Sequence, residues 1–359
     1  MRQKTKLALV YGGRSVEHDV SVISARNIFE NIDTTKFEIH LLGIDKSGKW
    51  FLMPDVDKSF NKGRPLHINP DTKQPTFIIQ SDGSAFSIDV AFIILHGTDG
   101  EDGSIQGFFN LMQIPFVGSG VLGSAIAMDK IIAKKLMLQA KIPTAKHAFL
   151  YKNENIPSFA NISDRVGIPM IVKPANQGSS IGVSKVISEY DYHKALEEAF
   201  NYDESILIEE FIIGRELECS VIGNKKPLAS PPGEVELKKD YTIYSFDAKY
   251  VDGEAVLLHI PAELDDDTVE KIQSVCLKVY NVLCCKEFAR VDLFLKKNGE
   301  IVINEVNTLP GFTNISMFPK LCGLMGISYP DLITKLIDMA LERNQEIKKL
   351  ETNFISGLS

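Results

Sequence analysis

The stretch ARVDLFLKKNGEIVINEVN, residues 289 to 307, predicts a β-hairpin. Two runs rich in apolar and β-branched residues flank Asn298-Gly299, a dipeptide that strongly favours a two-residue turn. Pairing counted outward from such a turn places Asp292 directly opposite Glu305. Opposed side chains in a ladder lie roughly 5 Å apart, where like charges destabilise the strand pair. A fold that contains this hairpin must therefore supply positive charge to the two carboxylates.

The same register places Arg290 opposite Asn307, on the face of the hairpin that carries both acids. Mg²⁺ would neutralise the acids, because this hard dication binds carboxylate and amide oxygens. The alternative is a structural network in which Arg290 neutralises the pair. We expect the metal, with Asp292, Glu305 and Asn307 as its ligands.

The chain of 359 residues exceeds one ordinary domain, and its patterns predict a mixture of α/β and α+β units. Residues 1–125 alternate buried strands such as KLALVYGG with helices, which predicts an α/β layer. Residues 126–212 predict an α+β unit with the helix EYDYHKALEEAF. Residues 213–359 contain the hairpin, a polar stretch at about 236–255 and a closing amphipathic helix.

Composition excludes several classes of protein. The net charge of −8 argues against a general nucleic-acid or anionic-membrane surface. The five cysteines are odd in number and form no CxxC pair, so neither a disulfide framework nor a zinc site is indicated. No apolar stretch approaches the roughly 20 residues that span a bilayer. We expect a cytoplasmic protein that binds no nucleic acid and no membrane.

A metal that binds phosphates requires phosphate-binding elements elsewhere, and VKPANQGSSIGVSKV (172–186) is the best candidate. Lys173 lies on a strand, and Gly178-Ser179-Ser180 would place backbone N–H groups and hydroxyls over phosphates. The segment is not a Walker loop, which requires a strand, a loop and a helix. A flexible hairpin tip with a surface lysine is the alternative.

Further polar groups follow buried strands. ILIEEFIIGREL (206–217) carries acids beside an apolar wall, which suits an adenine amino group and ribose hydroxyls, although such acids are usually solvated. In LHGTDGEDGSIQG (95–107), His96 is either a catalytic or orienting group or a capping or core histidine. Glu17 either receives a cationic ligand or merely favours a helix N-terminus.

The segment NTLPGFTNISMFP (307–319) leaves the acidic hairpin and leads towards a helix. Exposed N–H groups from Gly311 and the region of Ser316 would then lie near the metal. Such donors suit an oxyanion or a carboxylate. The alternative is an ordinary turn.

These motifs, in this order, resemble the ATP-grasp superfamily and, within it, the D-alanine–D-alanine ligase family. The resemblance runs from YGGRSVEHDVS through HGTDGEDGSIQG and VKPANQGSSIGVSKV to INEVNTLPGFT, which is nearly the whole chain. It implies a three-domain ATP-grasp architecture, with an N-terminal Rossmann-like (preATP-grasp) domain and with ATP between the central and C-terminal domains. Family members are commonly homodimers.

The resemblance also implies a reaction. ATP and a first D-alanine give an acyl phosphate, and the amine of a second D-alanine attacks it to form the dipeptide of the cell-wall peptidoglycan precursor. Two Mg²⁺ ions, with Mn²⁺ as an alternative, would be held by Asp292, Glu305 and Asn307. The implied ATP-binding residues are Lys130, Lys173, Ser179, Ser180, Glu209, Phe211, Ile212, Glu216 and Lys249.

The catalytic roles follow from the same resemblance. Glu17 would bind the ammonium of the first substrate, Arg290 and the Gly311 amide would stabilise the oxyanion, and Ser316 would receive the second carboxylate. The remaining implied residues are Ser179 and Tyr250, which close the site, and His96, which lies near the substrates.

The stretch YTIYSFDAKYVDGE (241–254) resembles the mobile loop of the family. Its Lys249-Tyr250 pair favours D-alanine as the second substrate over D-lactate, but D-serine-using relatives also keep such a pair. A D-Ala-D-Ser or D-Ala-D-lactate ligase is therefore the alternative within the class. A non-catalytic ATP-binding module is the alternative from another class.

Overall fold

The computed structural model describes residues 3–71, 75–237 and 256–351 of the chain. Its first sheet has the strand order β6-β5-β4-β3-β2-β1-β7-β8. Strand β1 pairs in parallel with β2 and β7, β7 pairs in parallel with β8, and β3 to β6 extend the sheet in antiparallel fashion. The strands are β1 Thr5–Gly12, β2 Phe37–Ile44, β3 Trp50–Met53, β4 Arg64–Asn69, β5 Thr76–Ile79, β6 Ala85–Phe86, β7 Val90–Ile93 and β8 Phe116–Val117.

The parallel centre of this sheet follows from its sequence. Residues Leu7 to Gly12 form a continuous buried run, as expected for a strand covered on both faces. The helices of this part are α1 His18–Asn31, α2 Ser104–Leu111 and α3 Val121–Met128. Gly12 and Gly13 turn the chain from β1 towards α1 with φ near 93° at both residues, a conformation that glycine adopts without strain.

The second sheet is antiparallel, with the order β11-β10-β12-β9. Its hydrophobic core lies between the strands and the helix EYDYHKALEEAF, which the sequence predicts. The strands are β9 His147–Tyr151, β10 Met170–Pro174, β11 Ser184–Val186 and β12 Ser205–Glu210, and the helices are α4 Lys130–Gln139, α5 Phe159–Val166 and α6 Glu189–Ala199.

The third sheet has the order β16-β15-β13-β17-β18, with β14 paired to β13. The long helix α7 packs on β13 and β17 around Cys276 and Tyr280. The strands are β13 Gly214–Ile222, β14 Leu228–Ala229, β15 Gly233–Leu237, β16 Val256–His259, β17 Phe288–Lys296 and β18 Ile301–Asn307, and the helices are α7 Asp266–Val282, α8 Met317–Leu324 and α9 Tyr329–Ile347.

The hairpin of β17 and β18 has the predicted pairing at the acids but not at its tip. Asp292 pairs with Glu305 and Arg290 with Asn307. The predicted two-residue turn is wrong, because Leu295 pairs with Ile301 and Gly299 takes φ 80° in a longer loop. A bulge after Asp292 shifts the register back. The longer loop and the bulge cancel, so the pairing of the acids survives.

The core of the first sheet extends into the C-terminal part of the chain. Its buried cluster contains Phe312, Phe318 and apolar residues of α9 such as Ile333 and Ile337. The side chain of Arg343 in α9 also donates to the carbonyls of Gly118 and Phe116 at 2.8 Å each. The last helix thus completes the hydrophobic core of the first sheet.

The structure confirms the predicted fold class of mixed α/β and α+β units. Of the stretch predicted to be a mobile loop, Glu236 and Leu237 belong to β15. Lys249 and Tyr250 lie outside the described residues. Among the described residues, no helix combines the length and apolar character that crossing a bilayer requires.

Candidate active site

A cavity of about 340 Å³ lies between the second and third sheets. The predicted ATP-binding residues that line it are Lys130, Lys173, Ser179, Ser180, Glu209, Phe211, Ile212 and Glu216. Asp292 and Glu305 line the same cavity. The fold thus brings the predicted phosphate-binding residues together with Asp292 and Glu305, while Asn307 is connected to them through its hydrogen bond to Asp292.

Two buried lysines concentrate positive charge in this acidic chain. The Nζ atom of Lys130 donates to the carbonyl of Gln177 at 2.7 Å and lies 3.7 Å from Glu305 Oε2. Burial lowers the pKa of Lys130. Burial would also lower the pKa of Lys173, but Glu209 and Glu305 outweigh it and raise that pKa. The two carboxylates therefore favour the charged form of Lys173.

Glu209 does not face the cavity as a lone acid. Its carboxylate lies between Lys173 and Lys134, with Nζ to oxygen distances of 2.5 Å on both sides. Burial would raise the pKa of Glu209, but the two ammonium groups outweigh it and lower the pKa to about 2. Lys134 was not among the predicted site residues, although its position four residues after Lys130 places both lysines on one face of α4.

In the predicted adenine-binding segment after β12, one backbone N–H group already donates a hydrogen bond within the protein. The N–H of Phe211 donates to the carbonyl of Pro169 at 3.1 Å, so this donor is already used. The ammonium of Lys185 lies 4.1 Å from the centre of the Phe211 ring. Ile212 and Glu216 line the cavity beyond it.

Arg290 binds Asp292, one of the two opposed acids, as in the structural network given above as the alternative to a metal. Its guanidinium makes two hydrogen bonds of 2.7 Å to Asp292, and its Nε lies 3.0 Å from Glu218. The amide nitrogen of Asn307 donates to Asp292 at 2.9 Å. Glu218 is a buried acid that the sequence analysis missed.

The donor set nevertheless fits a hard dication. Asp292 and Glu305 oppose each other at the cavity wall, and carboxylate and amide oxygens are the donors that Mg²⁺ takes. In the described ranges, no three His, Cys, Asp or Glu side chains cluster as metal ligands. The candidate set accordingly consists of two carboxylates and the amide of Asn307.

Glu17 approaches the cavity from the first sheet. It is buried at the start of α1, and Ser179 Oγ donates to its carboxylate across 162 residues of chain. A Cβ atom at Gly97 would lie 2.5 Å from Glu17 Oε2, so a larger residue there would displace the acid. Ser179 and Ser180 both have left-handed backbones, with φ of 50° and 59°. Such strain in non-glycine residues is found most often at functional sites.

His96 is a well-packed buried residue. Its ring nitrogens lie 3.2 Å from Ser24 Oγ and 3.1 Å from the carbonyl of Leu309. This is the geometry of the core histidine that the sequence analysis gave as an alternative. Glu101, which that analysis did not single out, lies 3.6 Å from the ring, and burial raises its pKa.

The prediction of exposed N–H groups around Ser316 is wrong at Ser316 itself. Its N–H donates to the carbonyl of Thr313 at 3.0 Å, and its hydroxyl accepts from the N–H of Thr313 at 3.0 Å. These bonds form a closed turn that precedes α8. A Cβ atom at Gly311 would lie 2.8 Å from Ser316 Oγ, so a larger residue there would displace the Ser316 hydroxyl.

Together, the first sheet with its parallel centre and the two further sheets around a cavity rich in lysines and acids define the ATP-grasp class of fold. Family models match both ends of the chain: "D-ala D-ala ligase N-terminus" over residues 6–119 and "D-ala D-ala ligase C-terminus" over residues 136–338. The chain belongs to the D-alanine–D-alanine ligase family.

Similar proteins agree with this membership. The D-alanine–D-alanine ligase of Oceanobacillus iheyensis is 46% identical, over 99% of this chain and 100% of the relative. Among solved structures, the D-Ala:D-Ser ligase VanG of Enterococcus faecalis is 34% identical with a TM-score of 0.85, covering 94% and 100% of the two chains. The D-alanine–D-alanine ligase of Bacillus anthracis complexed with ATP is 28% identical with a TM-score of 0.73, covering 96% and 100%.

Proposed function

We propose that this chain joins two D-alanine molecules to D-alanyl-D-alanine, with conversion of ATP to ADP and phosphate, and so supplies peptidoglycan precursor synthesis. The observation that carries the proposal is the contact between Glu17 and Ser179. It brings a buried carboxylate that suits an amino acid ammonium to the loop that adjoins Lys130 and Lys173. A cleft of this kind holds an amino acid beside the phosphates of a nucleotide.

The first step is the activation of a carboxylate. Glu17 binds the ammonium of the first D-alanine, whose carboxylate oxygen attacks the γ-phosphorus of ATP. The bond to the leaving ADP breaks, and D-alanyl phosphate forms. Lys130, Lys173 and the loop of Ser179 and Ser180 neutralise and orient the phosphates, which is the main protein contribution to phosphoryl transfer.

The acid pair holds the metal in this proposal. Asp292, Glu305 and Asn307 would bind two Mg²⁺ ions, and the same oxygen donors suit Mn²⁺. When bound, the ions neutralise phosphate charge. Glu209, Phe211 and Ile212 contact the adenine, and Glu216 contacts the ribose.

The second step forms the peptide bond. The amine of the second D-alanine attacks the carbonyl carbon of the acyl phosphate, the amine loses a proton, and phosphate leaves. Arg290 and the Gly311 amide stabilise the oxyanion, and Ser316 binds the second carboxylate. His96 keeps the segment at Leu309 in place through its hydrogen bond to that carbonyl. Lys249 and Tyr250, outside the described residues, complete the proposed site.

A second candidate is a D-Ala-D-Ser ligase, which the similarity to VanG favours. The test measures phosphate release from MgATP with D-alanine, D-serine and D-lactate in competition, with the products identified by mass. We expect D-alanyl-D-alanine to dominate. A mixed product would overturn the specificity and keep the ligase, whereas ATP binding without any release would favour a non-catalytic module.

We also propose a cytoplasmic homodimer of three domains, 1–125, 126–212 and 213–359. The domain division is supported by the three sheets, each of which lies within one of these ranges. The cytoplasmic location is supported by the five cysteines, which are free thiols. The dimer is proposed because members of the family are commonly homodimers. Light scattering of the purified protein should give twice the chain mass of 39.9 kDa. A mass of one chain at micromolar concentration would contradict the dimer.

A further inference from the structure

Helix α4 carries a second lysine, Lys134, whose position excludes direct contact with a ligand. Its side chain is 1% exposed, and it does not line the cavity that Lys130 and Lys173 line. Its Nζ lies 2.5 Å from Glu209 Oε1. Buried lysines are rare because removing an ammonium from water is costly, so the position calls for an explanation.

The partner of Lys134 links it to the nucleotide site. The other oxygen of Glu209 lies 2.5 Å from Lys173 Nζ, which also donates to Asn304 Oδ1 at 3.3 Å. A phosphate can use Lys173 only if the ammonium turns away from Glu209. With Lys173 as its only partner, Glu209 would then be a buried carboxylate without a counter-ion, and binding would have to offset that cost.

We propose that Lys134 is a positioning residue that releases Lys173 for phosphate binding by remaining as the counter-ion of Glu209. The inference rests on the proposed function, because it assumes that the phosphates of ATP contact Lys173. Lys130 cannot serve as this counter-ion, since its Nζ is bonded to the carbonyl of Gln177 and faces Glu305.

The charges of the cluster support this assignment. Burial lowers the pKa of Lys134, which disfavours its charged form, and the largest opposing influence is the carboxylate of Glu209. Two cations and one anion leave the cluster of Lys134, Glu209 and Lys173 with one net positive charge. That charge is placed on the cavity side, where Lys173 is 9% exposed and Lys134 is not accessible.

The test compares Lys134→Met with the wild type. For each protein, calorimetry or competition measures two dissociation constants, one for a non-hydrolysable ATP analogue with Mg²⁺ and one for adenosine. We expect the Kd of the ATP analogue to rise at least tenfold, while that of adenosine changes less than threefold. In turnover, KM for ATP should rise with little change in kcat. Lys135→Met is the matched control, because Lys135 is the exposed neighbour on the same helix.

A double-mutant cycle separates this role from simple structural support. In the Glu209→Gln background there is no carboxylate to neutralise, so we expect Lys134→Met to change the Kd of the ATP analogue less than threefold. An equal effect in both backgrounds would overturn the inference, as would equal weakening of adenosine and the ATP analogue. Thermal melting of each variant confirms that the protein remains folded.

The two proposals can fail separately. If the wild type binds no ATP analogue and makes no dipeptide, the proposed function is wrong. If the wild type is an active ligase and Lys134→Met binds the ATP analogue with unchanged affinity, only the inference about Lys134 is wrong.

Discussion

Glu287, which does not line the cavity, is a single residue that makes the stability of the protein depend on pH. Its side chain is fully buried between Gly118, whose N–H donates to it at 2.6 Å, and the guanidinium of Arg343 at 3.2 Å. Burial raises the pKa of Glu287 from 4.5 to about 7, although both partners act in the opposite direction. The folded protein therefore holds this proton more tightly than the unfolded chain.

The sign of the effect on stability follows from this difference. The contribution of Glu287 is fully present below pH 4.5 and is lost as the pH rises to about 7. The free energy of unfolding of the wild type relative to Glu287→Gln should fall by about 3 kcal/mol over that range. Urea denaturation at several pH values measures this change. The control is Glu342→Gln, at the exposed residue that precedes Arg343 on α9, and it should give a curve parallel to the wild type. The same result for Glu287→Gln would refute the prediction.

The sequence predicted several of the charged residues of the site, but it did not predict which residues they contact. Lys173, Asp292 and Glu305 could be predicted from the residues alone, because charged side chains on apolar strands need partners, whereas Lys130 was predicted only from the resemblance to the family. Lys134 and Glu218 could not be selected with the same ease, since their roles depend on which buried partner they meet in the fold. Sequence shows a charge, whereas only packing shows its counter-ion.

At the scale of elements, the bulge in the hairpin decides which side chains reach the cavity. The extra residue is Asn304, which stands between the pairs Leu293–Ile303 and Asp292–Glu305. The side chain of Asn304 accepts a hydrogen bond from Lys173 and that of Glu305 lies 3.7 Å from Lys130, although neighbours in a regular strand point to opposite faces. The bulge thereby adds a partner for Lys173 without moving Glu305 away from Asp292.

Removal of that partner should weaken nucleotide binding modestly. Lys173 donates to Asn304 at 3.3 Å, a long hydrogen bond, so Asn304→Ala should cost about 1 kcal/mol. We expect KM for ATP to rise about fivefold with little loss of kcat, measured by steady-state phosphate release. Asn298→Ala at the exposed hairpin tip is the control. An unchanged KM in Asn304→Ala would show that the bond does not matter to Lys173.

Periodicity predicted the long elements and missed the short ones. The buried run of β1, the closing helix α9 and the strands of the hairpin are long enough for their apolar patterns to predict a strand or a helix. Strands β3 to β6 are only two to six residues long and partly exposed, which is too short for a periodic pattern to identify them. The hairpin turn was misread because a longer loop and a bulge give the same distant pairing as a two-residue turn.

At the scale of the whole molecule, the hydrogen bond between Ser179 and Glu17 joins the first sheet to the second. Glu17→Gln keeps a hydrogen-bond acceptor and removes the charge that an ammonium needs. A charge-assisted hydrogen bond contributes about 1.5–3 kcal/mol, so KM for the first D-alanine should rise about ten- to a hundredfold. Kinetics at varied D-alanine measure this change.

The matched control for that variant lies on the same helix. Glu30→Gln changes an exposed acid of α1 and should leave the kinetics as in the wild type. Binding of the ATP analogue should change less than twofold in Glu17→Gln. A loss of nucleotide affinity equal to the loss for D-alanine would mean that Glu17 supports the loop of Ser179 and does not bind the amino acid.

The shared core also has a consequence for synthesis on the ribosome. Strand β8 ends at Val117, but the apolar residues of α9 that complete the same core, such as Ile337, follow about 220 residues later. At about 5 to 20 residues per second, the interval is roughly 10 to 45 s. Throughout that time the nascent first sheet has an uncovered apolar face, and this is the period in which the growing chain most needs a chaperone.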